Sequence, residues 1–244
     1  KISLITNDTI PKEWQKVFDQ IIPIPWTDSA ETSNWKIENR WKVYHASPYE
    51  QTIVLEADML ILSDITHWWK ELDKYELFFT SNVQTYRQET VTSRYYRKTF
   101  DANNLPNLYS ALHYFKKGNT AKEFYTLLEI IVNNWELFYS KYAKERYQKW
   151  CSIDLCAAIA SKILGNEKQI TNADSYITFT HMKTHTQAWQ YVPEQWTNVI
   201  GKYYRNDGSL VLGNFAQTGI LHYVEDNFLT DKIIEKLKDA KVLS

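Results

Sequence analysis

Over residues 52–62 the chain reads Thr-Ile-Val-Leu-Glu-Ala-Asp-Met-Leu-Ile-Leu, an apolar run broken only by Glu56 and Asp58 around Ala57. Such a run predicts a buried strand over 52–56 that ends in Ala57-Asp58, with 59–62 continuing it. Residues two apart on an extended chain point the same way, so both carboxylates would face one side at the carboxyl end of that strand. In open α/β sheets this is the end where ligands bind. Burying two carboxylates without a partner is costly, whereas two hard oxygen donors suit Mg²⁺ or Mn²⁺ holding a diphosphate. The alternative for the same residues is a solvated turn.

The surrounding pattern predicts alternating strands and helices. Strands are expected over 2–6, 76–80 and 108–115, with an extended, proline-bearing segment at 21–25 that suits a sheet edge. A helix is expected over 11–18 behind Pro11, and a short one carrying Trp68, Trp69 and Leu72. Phe124, Leu127, Leu128, Ile131, Trp135 and Phe138 recur at three-to-four spacing and predict one amphipathic helix over 121–142. A second helix over 152–164 stops at Gly165-Asn166. The last third is expected to hold strands at 176–180, 210–212 and 219–223, then a helix over 230–237. With no internal repeat and no linker, the 244 residues predict one α/β domain, a mixed sheet flanked by helices.

Composition narrows the function. Lys and Arg number 28 against 29 acids, a net charge of −1, which excludes a general polyanion binder but not a local basic patch. No apolar stretch reaches the roughly 20 residues needed to span a bilayer, and no signal-peptide pattern opens the chain. A soluble, cytoplasmic protein that engages no membrane is the expectation. Cys151 and Cys156 lie five apart, on different faces of a helix, which predicts free thiols and a reducing compartment.

The 47–65 segment resembles the acidic DxD motif of GT-A-fold glycosyltransferases, especially the glycogenin-like family eight. Three further pieces resemble that family in the expected order. Thr6-Asn7-Asp8 is similar to its nucleotide-binding Thr-Asn-Asp, and Lys42 stands where the family has a lysine near the diphosphate. Gly219-Ile220-Leu221-His222-Tyr223 resembles the late strand whose His is the third metal ligand. The resemblance implies a GT-A-like (Rossmann-like) fold, with residues 1–115 as the nucleotide-sugar half and 116–244 as the acceptor half. It implies Mn²⁺ or Mg²⁺ held by Asp58, His222 and Glu56, and a UDP-sugar donor, the metal stabilising the departing diphosphate. Two departures stand out. Glu56 replaces the first Asp, and Val224-Glu225-Asp226 replaces a late phosphate-binding Lys, a charge that Lys42 or Lys183 would then supply.

By the same resemblance Asn107 to Leu112 forms the sugar-side strand, where small Ser110 and Ala111 let the donor approach the backbone. Asp154 looks like the acid that contacts sugar hydroxyls, the candidate catalytic residue, although an acid in a helix's first turn is favourable on its own. His222 taken alone also suits a hydrogen-bonded core histidine. His181 and His185 have the i, i+4 spacing of a helical metal pair, but no Cys or Glu completes a zinc set and the preceding residues are strand-like. A loop facing the donor phosphates is the expectation there.

Arg87, Arg94, Arg97 and Lys98 are interleaved with Tyr86, Tyr95, Tyr96 and Phe100 against Glu89 alone. Lys141, Lys144, Arg146 and Lys149 follow, against Glu145. Cations alternating with rings suit a nucleic-acid groove, and equally a solvated face with Tyr packed beneath it. The 52–69 stretch is also similar to glycosyltransferases encoded by tailed bacteriophages. That similarity implies a hydroxymethylated base of phage DNA as acceptor, in the host cytoplasm. A glycan, protein or small alcohol is the alternative acceptor, and a non-catalytic nucleotide- or carbohydrate-binding module the alternative class. A nucleotidyltransferase is disfavoured, because Thr6-Asn7-Asp8 is not its glycine-rich, basic first loop.

Overall fold

The computed structural model describes residues 1–24, 39–91, 97–183, 187, 195–205 and 207–239. The chain opens with β1 (Ser3–Ile5), α1 (Lys12–Gln15) and β2 (Gln20–Ile22). A 3-10 turn at Arg40–Lys42 leads into α2 (Val43–Ala46). Next come β3 (Gln51–Leu55), β4 (Met59–Ile61), α3 (Trp68–Leu72), β5 (Leu77–Thr80), α4 (Lys98–Ala102) and β6 (Tyr109–Lys116). Helices α5 (Asn119–Asn133), α6 (Trp135–Tyr142), α7 (Ile153–Leu164) and α8 (Glu167–Ile170) follow. The last part holds β7 (Thr180–His181), α9 (Trp196–Val199), β8 (Lys202–Tyr204), β9 (Leu210–Leu212), β10 (Phe215–Ala216), β11 (Ile220–His222) and α10 (Asp231–Asp239).

The architecture is mixed α/β. Among the described residues the strands group into four small sheets, β1-β2, β3-β6-β5, β4-β11-β7 and β8-β9-β10. β6 is antiparallel to both its neighbours and is buried along almost its whole length. Alternation sorts the side chains of β5: Leu77 and Phe79 join the core under α5 and α7, while Phe78 joins the core beside α3. A third core gathers Leu210, Leu212, Leu221, Trp196 and Phe228. No helix among the described residues is long and apolar enough to cross a membrane.

Several expectations need correction. β4 does not continue β3: the chain turns at Ala57-Asp58, and β4 pairs with β11 in another sheet. A continued strand would carry Asp58 into a ladder, whereas the turn leaves both carboxylates at the strand's end. The expected helix over 121–142 breaks at Asn134 (φ −127°, ψ 38°), whose side-chain amide donates to the Ile130 carbonyl. Apolar spacing runs on across the break, so periodicity alone does not reveal it. α1 stops short of Val17 and Phe18 because none of its residues is buried, leaving nothing to extend it. The expected strand at 176–180 is reduced to Thr180, paired onward with His181 in β7. Cys151 precedes α7 rather than lying on it, so the two sulfurs sit 3.6 Å apart as free thiols instead of on different faces.

Candidate metal centre

Glu56 follows the last residue of β3, Asp58 sits in the turn after it, and β11 delivers His222 opposite Met59 and beside His181. The His222 Nε2 lies 2.9 Å from Asp58 Oδ2 and 3.0 Å from Glu56 Oε2. Backbone bonds lock this approach, the Tyr223 N–H donating to the Asp58 carbonyl (3.1 Å) and the Met182 N–H to that of His222 (3.0 Å). Arg40 pairs with the other oxygen of Glu56. One ligand atom from each of Glu56, Asp58 and His222 lies within 4.8 Å of the others, a set that could hold a metal ion.

The electrostatics fit this arrangement. Burial works against ionising Glu56, but the His222 hydrogen bond and the Arg40 charge hold it below its ordinary range. Asp58 is likewise lowered: burial opposes, the bond from His222 prevails. His222 is raised despite burial, because both carboxylates favour its protonated form. The His222 Nε2 and one oxygen of each carboxylate thus converge at hydrogen-bond distance, so the three groups could share a cation. Two carboxylate oxygens and one imidazole nitrogen are a donor set that could hold a divalent metal ion.

His181 lies beneath this cluster. Its ring stacks on His222 at 4.7 Å and 20°, and its affinity for a proton is pushed far down by burial and then by the neighbouring His222 charge. The expectation of a loop is therefore corrected: His181 is buried on β7, while Lys183 beyond it is exposed. His185 lies outside the described residues. Immediately after the cluster, the Glu225 N–H donates to the Tyr223 carbonyl across Val224, whose φ is 67°. A β-branched residue in this tight turn is strained, and it stands where the expected lysine is missing.

A second buried centre adjoins the first. Asp154 accepts from the Ser110 N–H (2.8 Å), the Ser110 hydroxyl (2.6 Å) and Arg97 (2.7 Å). Its carboxyl is held low against the cost of burial by the Arg97 charge and the Ser110 bonds. Arg97 also donates to Asn107 and to the Leu108 carbonyl, and lies between the rings of Phe100 (4.0 Å) and Tyr109 (3.9 Å). Tyr109 in turn meets the His181 ring edge-on at 6.1 Å, so a continuous chain of contacts joins Asp154 to His222. Arg97 is only 2% exposed, which corrects its assignment to an acceptor surface.

Thr6-Asn7-Asp8 forms the turn after β1, with the Asp8 N–H donating to the Thr6 hydroxyl and the Ile24 N–H to the Asn7 side chain. Lys42 lies 5.6 Å over the Trp41 ring. Ala57 is exposed in the turn, while Ser110 and Ala111 are buried on β6. Arg87 and Lys98 are exposed, and Arg94, Tyr95 and Tyr96 lie outside the described residues. A polar cleft of about 360 Å³ lined by Asp64, His67, Tyr176 and Gly219 sits at the opposite end of β11 from His222.

Arg40 and His113 escaped sequence reasoning. Arg40 had a weak signal, a cation two residues before Lys42 in a stretch that also holds Lys36 and Glu38. His113 stands between Leu112 and Tyr114 in β6, stacked on Phe79, with Nδ1 2.7 Å from the Ser110 carbonyl. No protein-family model matches the chain, and no curated protein is significantly similar to it.

Proposed function

We propose that the chain is a metal-dependent glycosyltransferase that moves a sugar from a nucleoside-diphosphate donor, a UDP-sugar first among them, to a hydroxyl acceptor. The observation that carries this reading is the convergence of Glu56, Asp58 and His222, drawn from segments 164 residues apart onto the carboxyl end of β3. An imidazole that is buried and bonded to two carboxylates in the turn after a strand, with all three groups shifted in their affinity for protons, is the kind of cluster that concentrates at functional sites. Mn²⁺ or Mg²⁺ there would supply charge stabilisation for the departing diphosphate. Glu56, Asp58 and His222 would hold the ion, and Arg40 limits the negative charge on Glu56 in its absence. Both Asp154 oxygens already accept hydrogen bonds, which favours a positioning role over that of a general base: it fixes the Ser110 backbone beside the sugar and orients Arg97. Lys183, exposed one residue beyond Met182, or Lys42 would meet the donor phosphates.

For the acceptor, a hydroxymethylated base of phage DNA is the first candidate, ahead of a glycan, protein or small alcohol. A non-catalytic module is the second reading, favoured by the Arg40–Glu56 pair and by Val224 in place of a lysine. Calorimetry of UDP binding with and without Mn²⁺, on wild type and Asp58→Asn, tests the site. Metal-dependent binding lost in the variant is expected, followed by donor turnover in an acceptor screen. Binding without turnover favours the module, and no binding of UDP or other nucleotides removes the reading.

A further inference from the structure

A short helix carrying Lys98 and a basic, ring-bearing stretch far from it in sequence meet on the surface. The helix is α4, and the stretch is residues 143–150, the non-helical segment leading from α6 towards α7. The Thr99 hydroxyl accepts from the N–H groups of Tyr147 and Gln148, each at 3.1 Å. The Asn103 side chain donates to the Glu145 carbonyl (2.7 Å) and accepts from its N–H (3.0 Å). Tyr139 donates to the Gln148 carbonyl (2.6 Å), and the buried Gln148 amide to that of Trp150 (2.9 Å). The backbone is thus pinned while its side chains are not: Tyr147 is 45% and Trp150 54% exposed, beside exposed Lys144, Arg146 and Lys149. Lys98 lies 4.4 Å over the Tyr147 ring, which makes the two stretches one surface. The acids present are Asp101 and Glu145, the latter accepting from the Tyr147 hydroxyl. None of the four cations forms an ion pair among the described residues.

A segment tied down this firmly has no folding reason to hold an indole and a phenol in water between unpaired cations. Cations at ring spacing match one ligand chemistry closely, a chain of phosphates carrying flat, stackable faces. A glycan would use the rings but not the charges, and an acidic peptide the charges but not the rings. We infer that the surface formed by Lys98, Lys144, Arg146, Tyr147, Lys149 and Trp150 docks single-stranded or locally unpaired nucleic acid, phosphates on the cations and bases on the two rings. Its placement suits the acceptor half of the glycosyltransferase reading, on which this inference rests. α4 begins immediately after Arg97, and residues 143–150 run into the helix that carries Asp154, so the surface is joined through the chain to the Arg97–Asp154–Ser110 centre.

Fluorescence anisotropy of a labelled single strand on the full chain, with the matching duplex and heparin as competitors, tests it. Single strand is expected to bind more tightly than duplex, with log K falling against log salt at a slope of about −3 for four phosphate contacts. Arg146→Glu/Lys149→Glu should weaken binding at least about tenfold and flatten the slope. Trp150→Ala should weaken it about tenfold with the slope unchanged. Lys98→Glu, on the other stretch, should reproduce the charge effect, and unchanged thermal melting would show that the variants are folded. Absence of binding, a preference for duplex, or a Trp150→Ala variant indistinguishable from wild type while heparin competes equally, would each overturn the proposal. UDP–Mn²⁺ calorimetry on the same variants separates the two readings. If it persists while nucleic acid fails to bind, only the docking surface falls. If nucleic acid binds and UDP does not, the surface stands and the donor reading falls.

Discussion

Arg97 and Lys98 are adjacent letters in one basic stretch and have opposite fates. The guanidinium of Arg97 is a planar fork of donors, and Asn107, Asp154 and the Leu108 carbonyl each accept from one of its three nitrogens while two rings cover its faces. Lys98 has a single exposed ammonium over Tyr147. Removing Arg97 leaves the partly buried Asp154 carboxylate with only its Ser110 bonds and opens space between two rings, so Arg97→Ala should cost about 3 kcal/mol in urea unfolding. Lys98→Ala should change stability by no more than about 0.5 kcal/mol. Arg97→Lys should fail to restore the loss, because an ammonium cannot reach three acceptors in a plane. At this scale the sequence revealed which residue types belong to the site and not which way they face. Glu56, Asp58 and His222 were legible because acids and a histidine at strand ends are out of place in apolar runs. Arg97 was not, because a long stem lets the same letter serve inside or outside.

Elements with their own hydrophobic period were the readable ones. The segments now seen as β3, β5, β6, β9, β11 and α7 carry enough alternation or three-to-four spacing to be found unaided. α2, α4, α8, α9, β8 and β10 are two to five residues long and persist through contacts made elsewhere, as α4 does through the bonds of Thr99 and Asn103 to residues 145–148. Stop signals were readable where stereochemistry demands one residue. Gly165 ends α7 at φ 66°, a left-handed position with no atom within 4 Å of where a Cβ would stand. The cost of a side chain there is conformational rather than steric. Gly165→Ala should therefore lower stability by about 1 kcal/mol, and Gly165→Asn by less, as read from thermal melts. Asn134 carried no comparable signal, since asparagine is tolerated within helices and the apolar period continues past it.

For the whole molecule, acid should be the sharpest stress. Burial pushes His113 down from 6.5 to about 4, so the unfolded chain takes up its proton first. Stability from this group is intact above about 6.5 and is lost as pH falls towards about 4, an amount of about 3 kcal/mol. Asp154, lowered by Arg97 and Ser110, adds a loss further down, as pH falls through its depressed value. His222 runs the other way: its raised value makes its contribution complete below 6.5 and lost as pH climbs through the folded value. Urea unfolding at pH 7 and pH 4.5 should show a steep fall in wild type and a shallower one in His113→Phe, which keeps the packing against Phe79. An equal slope in both would place the acid sensitivity elsewhere. The three-core organisation was only partly legible, because β4 and β7 gain their meaning from β11, which arrives at the far end of the chain.

That arrival has a kinetic side. β11 lies between β4 and β7, and its histidine meets an aspartate 164 residues earlier. Closing so long a loop is entropically unfavourable until the strands at both its ends are in place. The trio of Glu56, Asp58 and His222 therefore assembles late in folding, and a nascent chain cannot complete it until His222 has left the ribosome. Ion capture would report that folding is complete, and partly folded forms would pass through the cell without competing for the metal.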